Sequence, residues 1–202
     1  MNTYAKLCAL PELSGPKVRY YSVHFDGNDK NEFEDFMLRH ENNAQLSEHL
    51  DEMLAWVDDI AHNTGAIANF FRPEGRSSAL PPKGLKRKKK EERLSMAKEP
   101  IAEEGSGADE KNAEGKKVSV NYEESNCLRL YLIRLNKNVV ILLNGGQKTK
   151  NKAQQCPKVR PHFNKAQDIA KALDEALKSK DIKYNNSQTD ITYSPDFEFT
   201  IS

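Results

Sequence analysis

The sequence has few cysteines and no long apolar run. Its three cysteines, Cys8, Cys127 and Cys156, are an odd number without CxxC spacing, which argues against a disulfide framework and against a zinc site. The first 17 residues lack a basic segment followed by a sustained apolar stretch, so neither a signal peptide nor a membrane span is predicted. We therefore expect a cytoplasmic protein.

The motifs of several common enzyme classes are also missing. The sequence contains neither GxxxxGK[ST] nor GxGxxG, so a glycine loop that cradles phosphate is not predicted. It has no GxSxG nucleophile elbow. Its five histidines are too widely spaced for a HExxH-type metal pair. A metal-dependent or covalent enzyme is not expected, and we predict no cofactor.

Apolar residues are especially scarce in one stretch of the chain. Overall, 37% of residues are hydrophobic and 30% are charged, with a mean hydropathy of −0.79. Residues 86–117 contain 10 basic and 8 acidic residues among 32, and apart from alanine their apolar side chains are Leu94, Met96 and Ile101. Such a segment cannot bury enough surface to offset its conformational entropy, so we predict a mobile insertion.

The remaining patterns predict helices and strands in alternation. Val18–Phe25 is rich in β-branched and aromatic residues and predicts a strand. Asn31 can cap a short helix, and apolar residues at helical spacing predict a longer one over 44–63. Ser78–Pro81 is expected to be a short edge strand. A basic amphipathic helix is predicted over 163–180.

The most informative segment is a β-hairpin near the middle of the chain. Two apolar runs, Leu128–Leu135 and Val139–Leu143, flank the turn signal Asn136-Lys137-Asn138. With the helices, this hairpin predicts an α+β fold in which a small, mostly antiparallel sheet carries an N-terminal helix pair and a C-terminal helix on one face.

The predicted domain organisation follows from these elements. A single domain over 18–184 is interrupted by the insertion at 86–117. Residues 1–17 are expected to be an N-terminal extension, and residues 185–202 a C-terminal extension with room for one strand.

Charge is distributed unevenly along the chain. Residues 126–180 hold 12 Lys and Arg against 3 Asp and Glu, a net charge of +9, whereas residues 1–65 hold 5 against 12, a net charge of −7. The net charge of +1 for the whole chain therefore conceals a basic region that includes the hairpin. A polyanion is the ligand that such a region suits.

Two arginines on the first hairpin strand are candidates for phosphate contacts. Strand alternation places Arg129 and Arg134 on opposite faces, with Tyr131 beside Arg129. Because Arg134 shares a face with leucines, we expect Arg129 and Tyr131 to lie on the exposed face. There, arginine could bind phosphate and tyrosine could stack on a base. The alternative is that both arginines form salt bridges with the acidic helices.

Further cations flank the hairpin. Lys148, Lys150 and Lys152 follow its second strand, where a phosphate backbone could pass or where they could simply be solvated. A lysine whose pKa is lowered by neighbouring cations can act as a general base. Arg72 and Arg76 lie on the constrained loop FFRPEGR, and we expect them near whatever the hairpin faces.

Together these segments point to a known family. The helix near 46–63, the loops FFRPEGR and ALPPKG and the hairpin LRLYLIRLNKNVVILLNGGQKTK resemble the RelE/ParE superfamily of toxins from bacterial toxin–antitoxin modules, and above all its HigB-like branch. The similarity covers about 33–82 and 126–180, and residues 83–125 look like an insertion between two strands.

The resemblance implies a cytoplasmic toxin that cleaves messenger RNA, often on the ribosome, without a metal ion, and that a cognate antitoxin neutralises. By position, the residues that correspond to the family's basic catalytic residues are Arg72, Arg76, Arg129 and Lys148. The predicted RNA-binding residues are Tyr131, Arg134, Lys150 and Lys152. Asn144-Gly145-Gly146 stands where some members carry a histidine, and some relatives inhibit DNA gyrase instead. The alternative is therefore a non-catalytic binding protein on the same scaffold.

Overall fold

The fold is described from a computed structural model that covers residues 3–82, 127–150 and 152–201. The predicted insertion at 86–117 lies outside these residues. Three α-helices are present in the described part of the chain: α1 (Glu32–His40), α2 (Ser47–Asp59) and α3 (Arg160–Ser179). The strands are β1 (Thr3–Ala9), β2 (Arg19–Phe25), β3 (Arg72–Glu74), β4 (Ser77–Leu80), β5 (Leu128–Arg134), β6 (Val139–Gln147), β7 (Ile182–Tyr184), β8 (Ile191–Tyr193) and β9 (Phe199–Ile201).

Seven of these strands form one sheet in the order β3-β4-β5-β6-β2-β1-β9. Every neighbouring pair is antiparallel except β2 and β6, which run parallel. Strands β7 and β8 form a separate antiparallel pair. The prediction of an α+β fold with a mostly antiparallel sheet is therefore confirmed.

The predicted hairpin is the centre of this sheet. The Asn136 Oδ1 atom accepts the backbone N–H groups of Asn138 at 2.7 Å and Val139 at 2.9 Å, which fixes the turn between β5 and β6. Both strands are buried along nearly their whole length. A continuous apolar run of this kind is typical of a strand that is covered on both faces.

The helices accordingly cover both faces of the sheet. Helices α1 and α2 pack on the face that holds Leu130, Leu132 and Leu142. Helix α3 packs on the opposite face, against Ile133 and Ile141. The expectation that all helices lie on one face is wrong, because the alternate residues of β5 and β6 are apolar on both sides.

Local chemistry sets the start of α1 and the end of the helix that begins with α2. Asn31 caps α1: its side chain accepts the N–H of Glu34 at 3.0 Å, and the Glu34 carboxylate accepts the N–H of Asn31 at 3.1 Å. Helix α2 continues into one π-helical turn, Ile60–Thr64. Gly65, with φ of +79°, then ends it in the left-handed region. The predicted helices here are confirmed.

The two ends of the chain differ from expectation. Thr3–Ala9, predicted to be part of an N-terminal extension, is strand β1, between β2 and β9 in the main sheet. The stretch 189–201 contains two short strands, of which β9 joins the main sheet. Ser77–Leu80 lies between β3 and β5 and is not an edge strand. The pairings of β1 with β9 and of β4 with β5 join residues that are far apart in sequence, so local patterns could not indicate them.

No helix in the described parts of the chain is both long enough and apolar enough to cross a membrane.

Candidate functional site

The register of the sheet brings three of the four predicted catalytic residues together. Arg72 pairs with Ala79, and Ala79 pairs with Tyr131, so Arg72 and Tyr131 lie in one row on one face. Arg129 precedes Tyr131 by two residues and therefore shares its face. Arg129 pairs with Gly146, and Lys148 follows Gly146 by two residues. We call Arg72, Arg129 and Lys148 the basic cluster.

Helix α3 covers part of this face of the sheet. The basic cluster lies near the first turns of the helix. Its Phe163 ring packs edge-on against Tyr131, with the ring centroids 5.9 Å apart. The chain that precedes α3 turns back over β6, where the Thr149 N–H donates to Cys156 Sγ at 3.4 Å. Arg129 is consequently only 5% exposed, whereas Arg72 and Lys148 are partly exposed. The cluster has a buried cation and two cations at the rim.

Burial lowers the pKa of all three residues of the basic cluster. Burial, and then the neighbouring Arg72, lower the pKa of Arg129 to about 10. Burial, and then Arg129, lower the pKa of Lys148. The pKa of Arg72 is lowered by burial. Each shift means that the folded protein disfavours the positive charge, so an anion placed here would relieve the repulsion.

Glu74 is the carboxylate that acts on all three cations, raising the pKa of each in opposition to burial. It lies two residues after Arg72 on β3 and so shares the face of the cluster. Glu74 was not predicted: its spacing of two residues from Arg72 in FFRPEGR places it on the same strand face, but a single acidic residue between two arginines is a weak signal. Glu74 supplies a proton acceptor beside the cations.

Two buried polar atoms near the cluster have no hydrogen-bond partner among the described residues, namely the Tyr131 hydroxyl and Arg72 Nε. Tyr131 is completely buried. The expectation that Arg129 and Tyr131 lie on an exposed face is therefore wrong, because α3 covers that face. The Tyr131 ring cannot stack on a base in this conformation.

The other predicted site residues lie elsewhere. Arg76 is exposed, with its guanidinium 3.8 Å from the Asp174 carboxylate. Arg134 lies on the α2 face, and its Nε donates to the Ala66 carbonyl at 2.5 Å. Lys150 and Lys152 are exposed in the segment that follows β6. None of these four is among the groups that shift the pKa values of Arg129 or Lys148 in the described structure.

A cysteine and a histidine, 78 positions apart, form a pair that the sequence did not indicate. The His49 Nδ1 atom lies 3.0 Å from Cys127 Sγ and accepts the Cys127 N–H at 3.1 Å. The pair joins α2 to the beginning of β5. A pairing across this sequence distance leaves no local pattern.

A polar cleft of about 420 Å³ lies at the other side of β6. It is lined by residues of the β2–α1 connection, α1, β6 and α3, including Glu32, Asp35, Asn144, His162 and Lys165. His162 lies in the first turn of α3, just before the predicted start of this helix at residue 163. The remaining lining residues come together only in the folded chain.

Among residues 3–82, 127–150 and 152–201, no group of three or more His, Cys, Asp or Glu side chains is arranged to hold a metal ion. Comparisons with protein-family models, with curated proteins and with solved structures found no match to this chain.

Proposed function

We propose that this protein binds RNA through the basic cluster and cleaves it without a metal ion, as the toxin of a toxin–antitoxin module. The observation that carries the proposal is the convergence of Arg72, Arg129 and Lys148 on one face of a rigid sheet. Cations that are held close together in a partly buried site are suited to a phosphodiester, whose charge grows in the transition state of cleavage.

The chemistry requires a proton acceptor, a proton donor and charge stabilisation. In the proposed reaction the ribose 2′-oxygen attacks the adjacent phosphorus, and its proton passes to the Glu74 carboxylate. The bond from phosphorus to the 5′-oxygen breaks, and the Lys148 ammonium, whose pKa is lowered by burial and by Arg129, donates a proton to that oxygen. The products are a 2′,3′-cyclic phosphate and a free 5′-hydroxyl.

The arginines divide the task of charge stabilisation between them. Arg72, at the rim, is placed to contact a phosphoryl oxygen directly. Arg129 lies on the same face of the sheet and acts through its positive field, because little of its surface is exposed. A field of this kind is strong where water is excluded. Arg76, Arg134, Lys150 and Lys152 have no part in the reaction and at most lie along the path of the RNA.

The wider proposal is a scaffold of the RelE/ParE type, of the HigB-like branch, acting on messenger RNA at the ribosome and neutralised by an antitoxin protein. It is supported by the order of helix pair, hairpin and C-terminal helix, together with the position of the basic cluster on the hairpin. A cytoplasmic location belongs to the same proposal.

The test is RNA cleavage in a purified translation system without added antitoxin. We expect the protein to cut messenger RNA, and we expect Arg72→Ala and Lys148→Ala each to slow cleavage about 100-fold, which is typical for the loss of one group that stabilises transition-state charge. Arg76→Ala is the matched control: it removes an arginine from the same loop, outside the cluster, and should cleave at the normal rate.

Growth arrest after induced expression completes the test. Cleavage that is equally fast in Lys148→Ala and in the unaltered protein would contradict the proposed site. Growth arrest without RNA cleavage would favour the second candidate.

The second candidate is a non-catalytic binding protein on the same scaffold, directed at DNA gyrase or another protein. The burial of Arg129 and Tyr131 favours it, because groups that are covered cannot contact a ligand unless the structure moves. A gyrase supercoiling assay with the purified protein distinguishes it from the first candidate.

A further inference from the structure

The parallel pair β2 and β6 creates a crevice at one end of the sheet. These strands pair from Arg19 with Val139 to Tyr21 with Ile141. After β2 the chain passes to α1 on one face, and after β6 it passes to α3 on the other. Where two neighbouring parallel strands send their connections to opposite faces, the connections diverge at the carboxyl ends of the strands. Ligands of open α/β sheets bind in this position.

The polar cleft of about 420 Å³ occupies this crevice. Its volume is within the range of small-molecule sites. Its walls come from the β2–α1 connection, from α1, from β6 and from the first turns of α3. The lining residues are Gly27, Asn28, Asp29, Lys30, Glu32, Asp35, Asn144, His162 and Lys165.

Two carboxylates in the cleft each have an oxygen available to a ligand. Glu32, whose side chain is 5% exposed, accepts from Lys165 Nζ at 2.9 Å through Oε1. Asp35 accepts from Arg39 Nε at 3.0 Å and from Asn144 Nδ2 at 2.8 Å, both through Oδ2. Glu32 Oε2 and Asp35 Oδ1 take part in no hydrogen bond between described residues. These hydrogen bonds therefore hold both carboxylates in place and leave one oxygen of each as an acceptor for N–H groups.

A neutral imidazole completes the cleft. Burial, and then Arg39, lower the pKa of His162 to about 4, so the ring is uncharged at pH 7. Its Nδ1 atom is buried and has no hydrogen-bond partner among the described residues. A planar, uncharged ring at the wall of the cleft suits an aromatic ligand, which can stack on it.

The cleft lies next to the basic cluster. Gly146, directly opposite Arg129 in the β5–β6 ladder, has no side chain, and a Cβ atom there would lie 3.9 Å from the His162 ring. Directly opposed residues have Cα atoms about 5 Å apart. His162 and Arg129 are therefore separated by a single cross-strand pair, which is the scale of one nucleotide.

We propose that the cleft is a nucleobase pocket that selects guanine in the RNA strand held by the basic cluster. This inference rests on the proposed function. Guanine presents two adjacent N–H donors, N1–H and the N2 amino group, to which Glu32 Oε2 and Asp35 Oδ1 are matched. Uracil presents one N–H between two carbonyl oxygens, which the carboxylates would repel. Adenine and cytosine each present one amino group beside an acceptor nitrogen.

The experiment uses hexameric 2′-O-methyl RNAs, which lack the attacking 2′-hydroxyl and stay intact, and which consist of uridine except for one central guanosine, adenosine, cytidine or uridine. Affinities are measured by fluorescence anisotropy at one fixed salt concentration. Because a good bidentate contact discriminates strongly against the wrong base, we expect guanosine to bind roughly 10-fold or more tightly than uridine. Glu32→Gln with Asp35→Asn should reduce this ratio to near 1. Glu175→Gln, which changes an exposed carboxylate on α3, should leave the ratio unchanged.

A second measurement is independent of any variant. Saturation-transfer NMR on the unaltered protein compares the ligand signals of guanosine with those of uridine, neither of which carries a phosphate. The signals of the His162 ring protons are followed in the same samples. We expect saturation transfer to guanosine and a shift of the His162 signals with guanosine, and neither effect with uridine. Equal signals from the two nucleosides would overturn the pocket, even if the double variant failed to fold.

The two proposals fail in different ways. RNA binding that depends on Lys148 but shows no guanosine preference would overturn the pocket and leave the proposed function in place. Guanosine binding that is lost in the double variant, without any RNA cleavage or growth arrest, would overturn the toxin proposal and leave the pocket. A guanosine preference that survives in the double variant would overturn the assignment of Glu32 and Asp35.

Discussion

The α3 face of the sheet differs sharply between its two ends. On β5, Ile133 and Tyr131 lie beneath α3 and are buried among apolar neighbours, whereas Arg129, on the same face, lies beside other cations. All three side chains lie on the same face, because they are two residues apart along the strand. What differs is where α3 begins, at Arg160, with Phe163 as its first buried aromatic residue. The start of a helix thus decides where the core ends and where a charged site can exist.

The two ends of this face should also govern different properties, with stability depending on the apolar end and ligand binding on the basic end. The apolar end should control whether the protein folds, because burial of apolar surface is the main driving force. The basic end should control what the protein binds, and it carries a cost in stability because its cations are partly desolvated. Substitutions at the two ends should therefore have opposite consequences for unfolding and for RNA binding.

The largest effect is expected at the apolar end. Ile141→Asp places a carboxylate in the completely buried centre of β6. The cost is several kcal/mol, roughly the whole stability of a small domain. We expect loss of the cooperative transition in urea unfolding followed by circular dichroism. Ile141→Val, as control, should cost about 1 kcal/mol. A folded and soluble Ile141→Asp protein would contradict the position of β6 in the core.

The next effect tests the close approach of β5 and β6 beside the cluster. A Cβ atom at Gly145 would overlap the Arg129 backbone carbonyl, so Gly145→Ala forces the two strands apart. We expect a loss of about 3 kcal/mol in the free energy of unfolding. Gly27→Ala meets no atom within 4 Å and, with φ of +81°, should cost about 1 kcal/mol. Equal losses in the two variants would show that the strands do not approach as described.

A smaller effect concerns pH. The pKa of His162 in the folded protein is about 4, below its ordinary value of 6.5, so the unfolded chain binds more protons between these values. The stabilisation is complete above pH 6.5 and is lost as the pH falls towards 4. The shift corresponds to roughly 3 kcal/mol, which partial exposure reduces to about 2 kcal/mol.

The measurement for this effect is the free energy of unfolding from pH 7 to pH 4. We expect it to fall by about 2 kcal/mol less in His162→Gln than in the unaltered protein, since glutamine does not titrate. Parallel curves for the two proteins would mean that His162 is not buried as described.

Sequence patterns predicted the elements that depend on local chemistry. The Asn31 cap and the Asn136–Asn138 turn need only neighbouring residues, and both are confirmed. The parallel pairing of β2 with β6, and the place of β1 in the sheet, join distant segments and were not predicted.

The candidate site was also predicted only in part, because local patterns indicate its residues but not how the folded chain covers them. Arg72, Arg129 and Lys148 were singled out by charge and strand position, and the register brings them together. The burial of Arg129 was misjudged, because it depends on α3, which begins about 30 residues further along the chain at Arg160. Glu74 was missed because a single acidic residue in a basic loop carries little signal by itself.

The central claim, that Arg72 and Lys148 serve one anion site, is tested most directly by a double-mutant cycle on the affinity for 2′-O-methyl RNA, which the protein cannot cleave, at fixed salt. Arg72→Ala and Lys148→Ala, singly and together, should be non-additive by at least about 0.5 kcal/mol, because both act on the same phosphate. Arg72→Ala with Arg76→Ala is the control pair and should be additive within about 0.3 kcal/mol. Additive losses for Arg72 and Lys148 would mean that they act at separate places, and the basic cluster would not be a single site.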